Sequence, residues 1–241
     1  MQLQKMKIIP DTWLSKILNR KTYRINVEIS DLSSCDEHNT LCQYLQIENV
    51  FLYVKVPSSH LELVHLFQKA NFRIMDVNLV FEKNISTPIQ SESNLSTRFS
   101  IQDDQEAIRK LARNNFRYSR FHMDNAFLSE EANLIKAEWA NNFFLGQRGK
   151  WMIVSEIQSQ IVGFLLLLEE KSKLVIDLIC VDTNFQGQGL AMEMIHFAES
   201  ELSNYVNIQV GTQIINLPSI RLYLKTGFFP CKSYYILHYH N

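Results

Sequence analysis

The stretch from Leu174 to Asn204 constrains the fold of this chain more than any other. Its first part, Leu174–Val181, is a run of branched apolar residues that is too short for a membrane span, and it predicts a buried strand. The apolar residues from Leu190 to Leu202 recur at helical spacing and predict an amphipathic helix. Between the two lies Gln186-Gly187-Gln188-Gly189, so the chain passes from a strand into a helix through a glycine turn.

Such a turn is suited to binding an anion. The first N–H groups of a helix have no partner inside it and lie at the positive end of its dipole, and glycines let an anion approach the main chain closely. The turn is not a Walker loop, because Leu190-Ala191 stands where that motif needs Lys-Ser/Thr. It is not the dinucleotide fingerprint either, because Met192 takes the place of the third glycine. An ordinary strand-to-helix turn is the alternative interpretation.

Composition and charge exclude several classes of protein. The 241 residues are 46% hydrophobic and 20% charged, which is typical of soluble globular proteins. The formal net charge is −1 and the Lys and Arg residues are scattered, so we expect neither a nucleic acid nor a membrane as a partner. The sequence has no long apolar run and begins without the apolar centre of a signal peptide, so we expect a cytoplasmic protein.

The four cysteines do not predict a metal site. Cys35, Cys42, Cys180 and Cys231 form no C-x-x-C pair and no zinc-site spacing, so we expect reduced thiols and no metal. Cys180 lies on the predicted strand Leu174–Val181, where a catalytic nucleophile is conceivable. No neighbour in the sequence supplies an activating base, so a small buried apolar role is the favoured interpretation.

Glycine usage and polarity predict two domains. All seven glycines lie at or after Gly146, so the N-terminal part cannot form a glycine-lined phosphate loop. The segment from Asn84 to Ser96 is polar, contains Pro88 and interrupts the apolar periodicity, which indicates a linker. We therefore expect an N-terminal α/β domain at residues 1–84 on the acceptor side, a linker at 85–96 and a cofactor-binding domain at 97–241.

Hydrophobic periodicity predicts an α+β (mixed α/β) fold. The N-terminal domain is predicted to contain a helix, two strands, a helix and a strand, at Thr12–Leu18, Tyr23–Ile29, Val50–Val56, Leu61–Ala70 and Ile74–Phe81. The C-terminal domain is predicted to contain a strand at Arg98–Ile101, helices at Asp103–Ala112 and Ser129–Phe143, strands at Trp151–Glu156 and Ile161–Leu168, the central strand and helix, a strand at Asn207–Thr212, a helix at Pro218–Lys225 and a strand at Tyr234–Tyr239.

Two motifs in this order resemble those of the GNAT acyltransferase superfamily. Val181-x4-Gln186-x2-Gly189-x-Ala191 is similar to its coenzyme A loop, with Ala191 in place of the final glycine of many relatives. The run Asn216–Phe228, with Tyr223 and Gly227-Phe228, is similar to its second landmark. The resemblance implies a GNAT fold with acetyl-CoA as co-substrate. Because Leu66–Phe72 echoes Leu222–Phe228, we also expect a smaller, degenerate GNAT-like N-terminal domain.

The resemblance assigns roles to residues at the cofactor site. Main-chain groups of Ile179, Cys180 and Val181 would pair with the pantetheine arm and stabilise the oxyanion. Asn216 would bond the pantetheine amide, with simple helix capping as the alternative. The N–H groups that would hold the pyrophosphate are those of Gln186, Gly187, Gln188, Gly189, Leu190 and Ala191.

Proton transfer is assigned by residue chemistry and by the same resemblance. Tyr223 matches the family's acid and would protonate the departing thiolate, with packing beside Ile220 as the alternative. Asp177 is unusual in an apolar strand, which makes it a candidate base or acceptor contact. A buried carboxylate with a structural partner is the alternative interpretation of Asp177.

The acceptor is predicted to meet a polar segment that follows the first helix of the C-terminal domain. A guanidinium such as that of Arg120 suits a phosphate or carboxylate, because its planar fork donates two parallel hydrogen bonds. Aromatic rings in the segment could stack on a base or sugar, and a solvated loop is the alternative. The predicted acceptor residues are Tyr118, Ser119, Arg120, Phe121, His122 and Asp124.

Further residues resemble the two-domain dTDP-fucosamine acetyltransferases, within the same superfamily. They are Trp13, Leu111-Ala112, Phe116, Ser119-Arg120-Phe121 and Gly211-Thr212-Gln213, whereas Pro218 within the short helix leaves the substrate's identity open. This resemblance implies direct acetyl transfer to the amine of a nucleotide-linked 4-amino-4,6-dideoxy sugar for surface polysaccharide. The alternatives are a GNAT enzyme for another amine (a protein N-terminus, amino acid or polyamine) and a non-catalytic coenzyme-A-binding module. The sequence leaves open whether the protein forms a homodimer.

Overall fold

The computed structural model describes residues 5–28, 36–85 and 96–241, in two compact units. Unit 1 comprises Met1–Asn78, Arg120–Glu131 and Lys232–Asn241, and unit 2 comprises Leu79–Ser119 and Ala132–Cys231. This differs from the predicted division at 85–96, because two later segments join the N-terminal residues in unit 1. Most of the predicted linker, residues 86–95, lies outside the described residues, as does Cys35.

Helices and strands occupy most of the described residues. In chain order they are β1 (Lys5–Pro10), α1 (Thr12–Leu18), β2 (Lys21–Glu28), α2 (Asp36–Leu45), β3 (Val50–Pro57), α3 (Leu61–Lys69), β4 (Arg73–Asn84), β5 (Ser96–Phe99), α4 (Gln105–Asn115), α5 (Arg120–Met123), α6 (Ser129–Phe144), β6 (Trp151–Ile157), β7 (Gln160–Glu170), β8 (Lys173–Val181), α7 (Leu190–Glu201), β9 (Asn207–Gln213), α8 (Leu217–Lys225) and β10 (Phe229–His240). The predicted α+β (mixed α/β) fold class is confirmed. The sequence interpretation missed β1, α2 and α5.

In unit 1 the strands follow the order β1-β2-β3-β10. Strand β1 is antiparallel to β2, β2 is parallel to β3, and β10 is antiparallel to β3. Tyr53 lies opposite His238 and Phe51 lies opposite His240 in the last of these pairs. This pairing is why the C-terminal end of the chain belongs to unit 1.

The two faces of the unit 1 sheet differ in character, because side chains alternate along a strand. One face carries apolar residues of β3, such as Leu52 and Val54, which pack in a cluster with Phe67 of α3. The other face carries Phe51 and Tyr53, together with the histidines opposite them on β10. Unit 1 therefore has one apolar face and one aromatic and polar face.

In unit 2 the strands follow the order β9-β8-β7-β6-β5. Strands β5 to β8 form antiparallel pairs, and β8 is parallel to β9. The β6–β7 connection passes through Gln158 and Ser159, both with positive φ (51° and 62°). In unit 2 the residues of β7 alternate between two apolar clusters. Leu165 and Leu167 lie in the cluster of α7, and Phe164 and Leu166 in the cluster of α4.

The sequence echo between Leu66–Phe72 and Leu222–Phe228 corresponds to one local motif. After α3 the N–H of Phe72 donates to the carbonyl of Phe67, and after α8 the N–H of Phe228 donates to that of Tyr223, each at 2.9 Å. Left-handed residues close both helices, namely Asn71 with φ 63° and Gly227 with φ 86°. Both segments therefore run from helix to strand by the same turn, as the sequence predicts.

None of the helices in the described part of the chain combines the length and the apolar character that a membrane span requires.

Candidate active site

Strand β8 contains a bulge at Asp177. Leu166 pairs with Leu178 and Leu167 pairs with Ile176, so Asp177 is an extra residue in β8. A bulge leaves one residue unpaired and bends the strand. Before it, Ile176 packs in the α7 cluster, and after it Leu178 packs in the α4 cluster. Alternate residues of β8 therefore face the α7 cluster before Asp177 and the α4 cluster after it.

The bulge coincides with the divergence of β8 from β9. Among the described residues their parallel pairing ends at Ile176 and Val210, although β8 continues to Val181 and β9 continues to Gln213. Strand β8 remains paired with β7 over this length, up to Gly163 and Val181. The predicted cofactor residues Ile179, Cys180 and Val181 therefore lie on a strand whose other edge has parted from its neighbour.

The glycine turn between β8 and α7 is open to solvent. Gly187 and Gly189 have φ of 79° and 86°, and a Cβ added at either would meet no atom within 4 Å. Gly189 precedes Leu190, the first residue of α7, and no side chain of the described residues caps this helix start. Of the two glutamines, Gln188 is exposed, and Gln186 donates from its side chain to the Val181 carbonyl at 3.1 Å.

This geometry fits the pyrophosphate of a coenzyme A molecule. Free N–H groups at a helix start, preceded by two glycines in the left-handed region, allow an anion to reach the main chain. Ala191, which stands where many relatives have a glycine, is half-buried in the first turn of α7. The loop thus suits the acetyl-CoA that the sequence resemblance implies.

Cys180 is buried beside the diverging edge. Burial raises the pKa of its thiol to about 12, Asp182 raises it further and Lys136 opposes them. A thiol that holds its proton so strongly is a poor nucleophile. The structure therefore favours the apolar interpretation of the Cys180 side chain.

Asn216 and Tyr223 lie on or next to α8. Asn216 caps the helix by accepting from the Ser219 N–H at 3.3 Å, and its amide donates to the Thr212 hydroxyl at 3.2 Å. Tyr223 is buried between the rings of Phe81 and Phe228. Burial raises the pKa of Tyr223, and a hydrogen bond with Ser219 opposes the rise. The phenol is therefore protonated at neutral pH, as a proton donor must be.

Asp177 has structural partners. Arg148 donates to both carboxylate oxygens, from Nε at 2.6 Å and from Nη2 at 2.7 Å, and Trp139 donates from Nε1 at 2.8 Å. Both carboxylate oxygens are therefore bonded to protein groups. The structure thus favours the alternative interpretation, a buried carboxylate with a partner, over the predicted role in acceptor binding.

The predicted acceptor segment is divided between the two units. Tyr118 and Ser119 belong to unit 2, where Tyr118 is exposed and Ser119 is buried. Phe121, in unit 1, is 2% exposed and packs edge-on against Phe127 at 5.5 Å, so it cannot stack on a ligand as predicted. His122 is partly buried in the short helix α5.

Arg120 is partly buried and already has protein partners. Its guanidinium carbon lies 3.8 Å from the centre of the Tyr53 ring, and Nη1 lies 3.2 Å from Nε2 of His238. Burial lowers the pKa of Arg120, against the opposing effect of Tyr53. Arg120 remains the residue of this segment that is best suited to an anionic acceptor.

Asp124 is the centre of a buried network in unit 1. Its Oδ2 lies 2.7 Å from Nδ1 of His238 and 2.7 Å from Nε2 of His240. Burial opposes ionisation of Asp124, but the two histidines outweigh it and lower its pKa. Arg20 lies 3.2 Å from Nδ1 of His240, just as Arg120 meets His238. Asp124 is therefore occupied by protein groups and does not face an acceptor as predicted.

The sequence interpretation missed both histidines of this network. Their signal is His238-Tyr239-His240, since residues two apart lie on the same face of a strand. On β10 both face Phe51, with ring centroids at 4.8 Å in each case.

Asp124, His238 and His240 place three ligand atoms within 4.8 Å of one another, so we tested the set as a metal site. When an imidazole binds a metal, its other nitrogen carries a proton and donates to an acceptor. Here the other nitrogens face Arg120 and Arg20, whose guanidinium groups can only donate. This hydrogen-bond arrangement fits two imidazoles that donate to Asp124 and accept from the arginines. It does not fit imidazoles that bind a metal ion.

Comparison with known proteins agrees with the fold and with the glycine turn. Residues 116–236 match the profile of the acetyltransferase (GNAT) domain. The chain is 27% identical over 249 residues to the spore coat polysaccharide biosynthesis protein SpsD of Bacillus subtilis (strain 168), covering 98% of this chain and 84% of that protein.

Solved structures share the fold at low identity. A GCN5-related N-acetyltransferase from Sphaerobacter thermophilus has a TM-score of 0.66 at 12% identity, over 98% of this chain and 76% of that one. The GCN5-related glucosamine N-acetyltransferase region of a fungal multi-domain GH3 beta-N-acetylglucosaminidase has a TM-score of 0.66 at 10% identity, over 98% of this chain and 31% of that one. With half of its residues matching the family profile, and with this fold, the chain belongs to the GNAT acetyltransferases.

Proposed function

We propose that this acetyltransferase moves the acetyl group of acetyl-CoA to the amine of a nucleotide-linked amino-deoxy sugar, of the dTDP-4-amino-4,6-dideoxyhexose type. The observation that carries the cofactor part is the parting of β8 from β9 in the same unit as an uncapped glycine turn. The turn would hold the pyrophosphate through the N–H groups of Gln186–Ala191. The edge of β8 at Ile179–Val181 would pair with the pantetheine arm, and Asn216 would bond its amide.

Two observations support the sugar as acceptor. The relative in Bacillus subtilis is named for spore coat polysaccharide biosynthesis, a process that uses sugar building blocks. In unit 1, Lys55 and Arg120 are close enough for electrostatic repulsion: desolvation by the surrounding protein lowers the pKa of Lys55, Arg120 lowers it further, and Asp76 opposes them. Like charges held near one another are stabilised by a bound anion, such as the diphosphate of a nucleotide sugar.

The reaction would be a direct transfer without an acyl-enzyme. The neutral amine attacks the thioester carbonyl carbon, so the C–N bond forms and the carbonyl oxygen becomes an oxyanion; the C–S bond then breaks as the carbonyl re-forms. Backbone N–H groups near Cys180 and Val181 would stabilise the oxyanion, a contribution typically of about 3 kcal/mol. Tyr223 would give its proton to the departing sulfur, and the amine would lose its extra proton to solvent. Binding of the nucleotide would orient the amine.

The test is thiol release from acetyl-CoA by the purified protein. The acceptors are a panel of dTDP- and UDP-linked 4-amino sugars, with polyamines, amino acids and peptide amines for comparison. We expect turnover with a nucleotide-linked amino sugar at a kcat/KM at least a hundredfold above that for any other amine. Preference for a peptide or polyamine would overturn the acceptor, and silence on every amine despite tight acetyl-CoA binding would favour a non-catalytic module.

A further inference from the structure

Arg148 and Trp139 converge on the one residue that makes the bulge of β8. The Asp177 side chain is 8% exposed, and it accepts two hydrogen bonds from Arg148 and one from Trp139. The guanidinium carbon of Arg148 also lies 4.9 Å from the Trp139 ring centre. Paired N–H donors on one carboxylate are among the strongest polar contacts in proteins, and they fix its orientation.

The chain after α6 is shaped to deliver Arg148 to this point. The backbone N–H groups of Gln147 and Arg148 both donate to the Asn142 carbonyl, at 2.8 and 3.1 Å. Gly149 has φ of 87°, and a Cβ there would collide with the side chain of Leu166. Leu166 lies opposite Leu178, the residue directly after the bulge. The loop therefore packs on the sheet at the place where the register changes.

The bulge determines which way the end of β8 faces. A bulge can shift along a strand. Each residue that it passes then turns its side chain to the opposite face of the sheet. If the bulge moved beyond Val181, Leu178 and Cys180 would turn from the α4 cluster toward the α7 side. Their N–H groups would then exchange edges as well, because N–H groups also alternate along a strand.

We infer that Arg148 and Trp139 are positioning residues for acetyl transfer, acting through Asp177. They fix the bulge at one place, and this keeps the N–H groups of Ile179 and Val181, which alternate with N–H groups that face β7, directed to the edge that has parted from β9. This inference rests on the proposed function, which places the thioester at that edge. Neither residue needs to touch the cofactor.

Hydrogen exchange of the β8 peptide, with and without coenzyme A, tests directly whether the two residues fix the bulge. Arg148→Met removes the paired donors, and Arg109→Met is the matched control. Arg109 has the same 38% side-chain exposure, and it donates two hydrogen bonds, at 2.5 and 3.0 Å, to one oxygen of Glu138 rather than to Asp177. We expect the β8 peptide to exchange at least tenfold faster in Arg148→Met, and within twofold of wild type in Arg109→Met.

We expect acetyltransferase activity to separate Arg148→Met from the control Arg109→Met as hydrogen exchange does. In Arg148→Met we expect kcat to fall at least tenfold while the Kd of coenzyme A stays within threefold, because the glycine turn is intact. Trp139→Phe keeps an aromatic ring at this position and removes the indole N–H that donates to Asp177, so it should fold and show a smaller effect of the same kind. If Arg148→Met does not fold, Trp139→Phe alone decides.

The outcomes separate this inference from the proposed function. If wild-type β8 amides gain no protection from coenzyme A, the proposed cofactor placement is wrong. In that case, the exchange rates measured without coenzyme A still test whether Arg148 and Trp139 fix the position of the bulge. If Arg148→Met, or Trp139→Phe where it decides, leaves both the exchange rate and kcat within twofold of wild type, the positioning role is overturned. An equal effect of Arg109→Met would overturn it too.

Discussion

The side-chain oxygen of Asn115 accepts two hydrogen bonds from Thr183, one from its backbone N–H at 3.0 Å and one from its hydroxyl at 2.8 Å. The Asn115 amide also donates to the Leu111 carbonyl, so it is anchored on α4. Thr183 opens the short turn that leads to Gln186. The start of the proposed coenzyme A loop is thus bonded to α4 through the side chain of Asn115.

Asn115→Ala should therefore weaken coenzyme A binding. Loss of two partly exposed hydrogen bonds loosens the loop by about 1 kcal/mol, which corresponds to about a fivefold higher Kd. Calorimetric titration with coenzyme A measures this change. Asn141→Ala is the control, because Asn141 also bonds through both side-chain groups, to Gln105 and Glu138. An unchanged Kd in Asn115→Ala would show that the loop holds its shape without this tie.

The glycine turn gives a second prediction. Gly189→Ala places a side chain in the left-handed region and beside the proposed pyrophosphate, so we expect the Kd of coenzyme A to rise at least tenfold. Gly146→Ala is matched, because Gly146 also has positive φ (65°) and open space around its Cβ. Both substitutions should cost about 1 kcal/mol of stability, but only Gly189→Ala should affect binding. Equal Kd values for the two variants would argue against the turn as the pyrophosphate site.

The sequence predicts elements whose signal is local, and it does so closely. Helix α1 begins and ends as predicted, at Thr12 and Leu18, because Asp11 caps it and Asn19 closes it in the left-handed region. The glycine turn at Gly189 is likewise a local signal. The bulge at Asp177 was not predicted, because it depends on the strand beside it and on Arg148, 29 positions earlier in the chain.

The acceptor segment shows the same limit. Polar residue types at 118–124 predict a binding loop, whereas the fold buries Phe121 and Asp124 against β10. Asp124 meets His238 across 114 positions of sequence, and no local pattern reports a contact of that span. Residue chemistry points to the charged groups of the segment, but only tertiary pairing determines which of them can face a ligand.

Tyr223→Phe tests the proton donor. We expect kcat to fall 10- to 100-fold with little change in the KM of acetyl-CoA, because the phenol acts on the leaving group. Since burial raises the pKa of Tyr223, ionisation of this residue should cause no loss of wild-type activity up to about pH 10. Steady-state kinetics from pH 6 to 10 measures both effects. Ser219→Ala, which removes the hydroxyl's partner, should keep kcat within about threefold.

Arg120→Lys tests the anionic acceptor. Lysine keeps the charge but loses the planar fork and the stacking on Tyr53, so we expect the KM of the nucleotide sugar to rise about 10- to 100-fold. The KM of acetyl-CoA should not change. Arg73→Lys, at an exposed position of β4, is the control for charge-conserving replacement in unit 1. If the acceptor KM of Arg120→Lys equals that of Arg73→Lys, Arg120 contributes only to packing.

The buried histidine makes stability depend on pH. Burial lowers the pKa of His238 to about 3, Asp124 opposes this and Arg120 adds to it. Between about pH 6.5 and 4.5 the unfolded chain gains a proton at this histidine and the folded chain does not. His238 should therefore lower the free energy of unfolding by about 1.4 kcal/mol for each pH unit of acidification in this window.

Asp76 changes the free energy of unfolding with pH in the opposite direction to His238. The contribution of His238 must therefore be measured as a difference between variants. Burial raises the pKa of Asp76 to about 6, so acidification stabilises the folded state through this group. Urea unfolding of wild type and His238→Asn at each pH cancels the Asp76 contribution in the difference. The variant should lose less stability than wild type by about 2 to 3 kcal/mol between pH 6.5 and 4.5, whereas His196→Asn, at a partly exposed site on α7, should follow wild type. Parallel curves for His238→Asn and wild type would mean that the imidazole takes up its proton without disturbing the network.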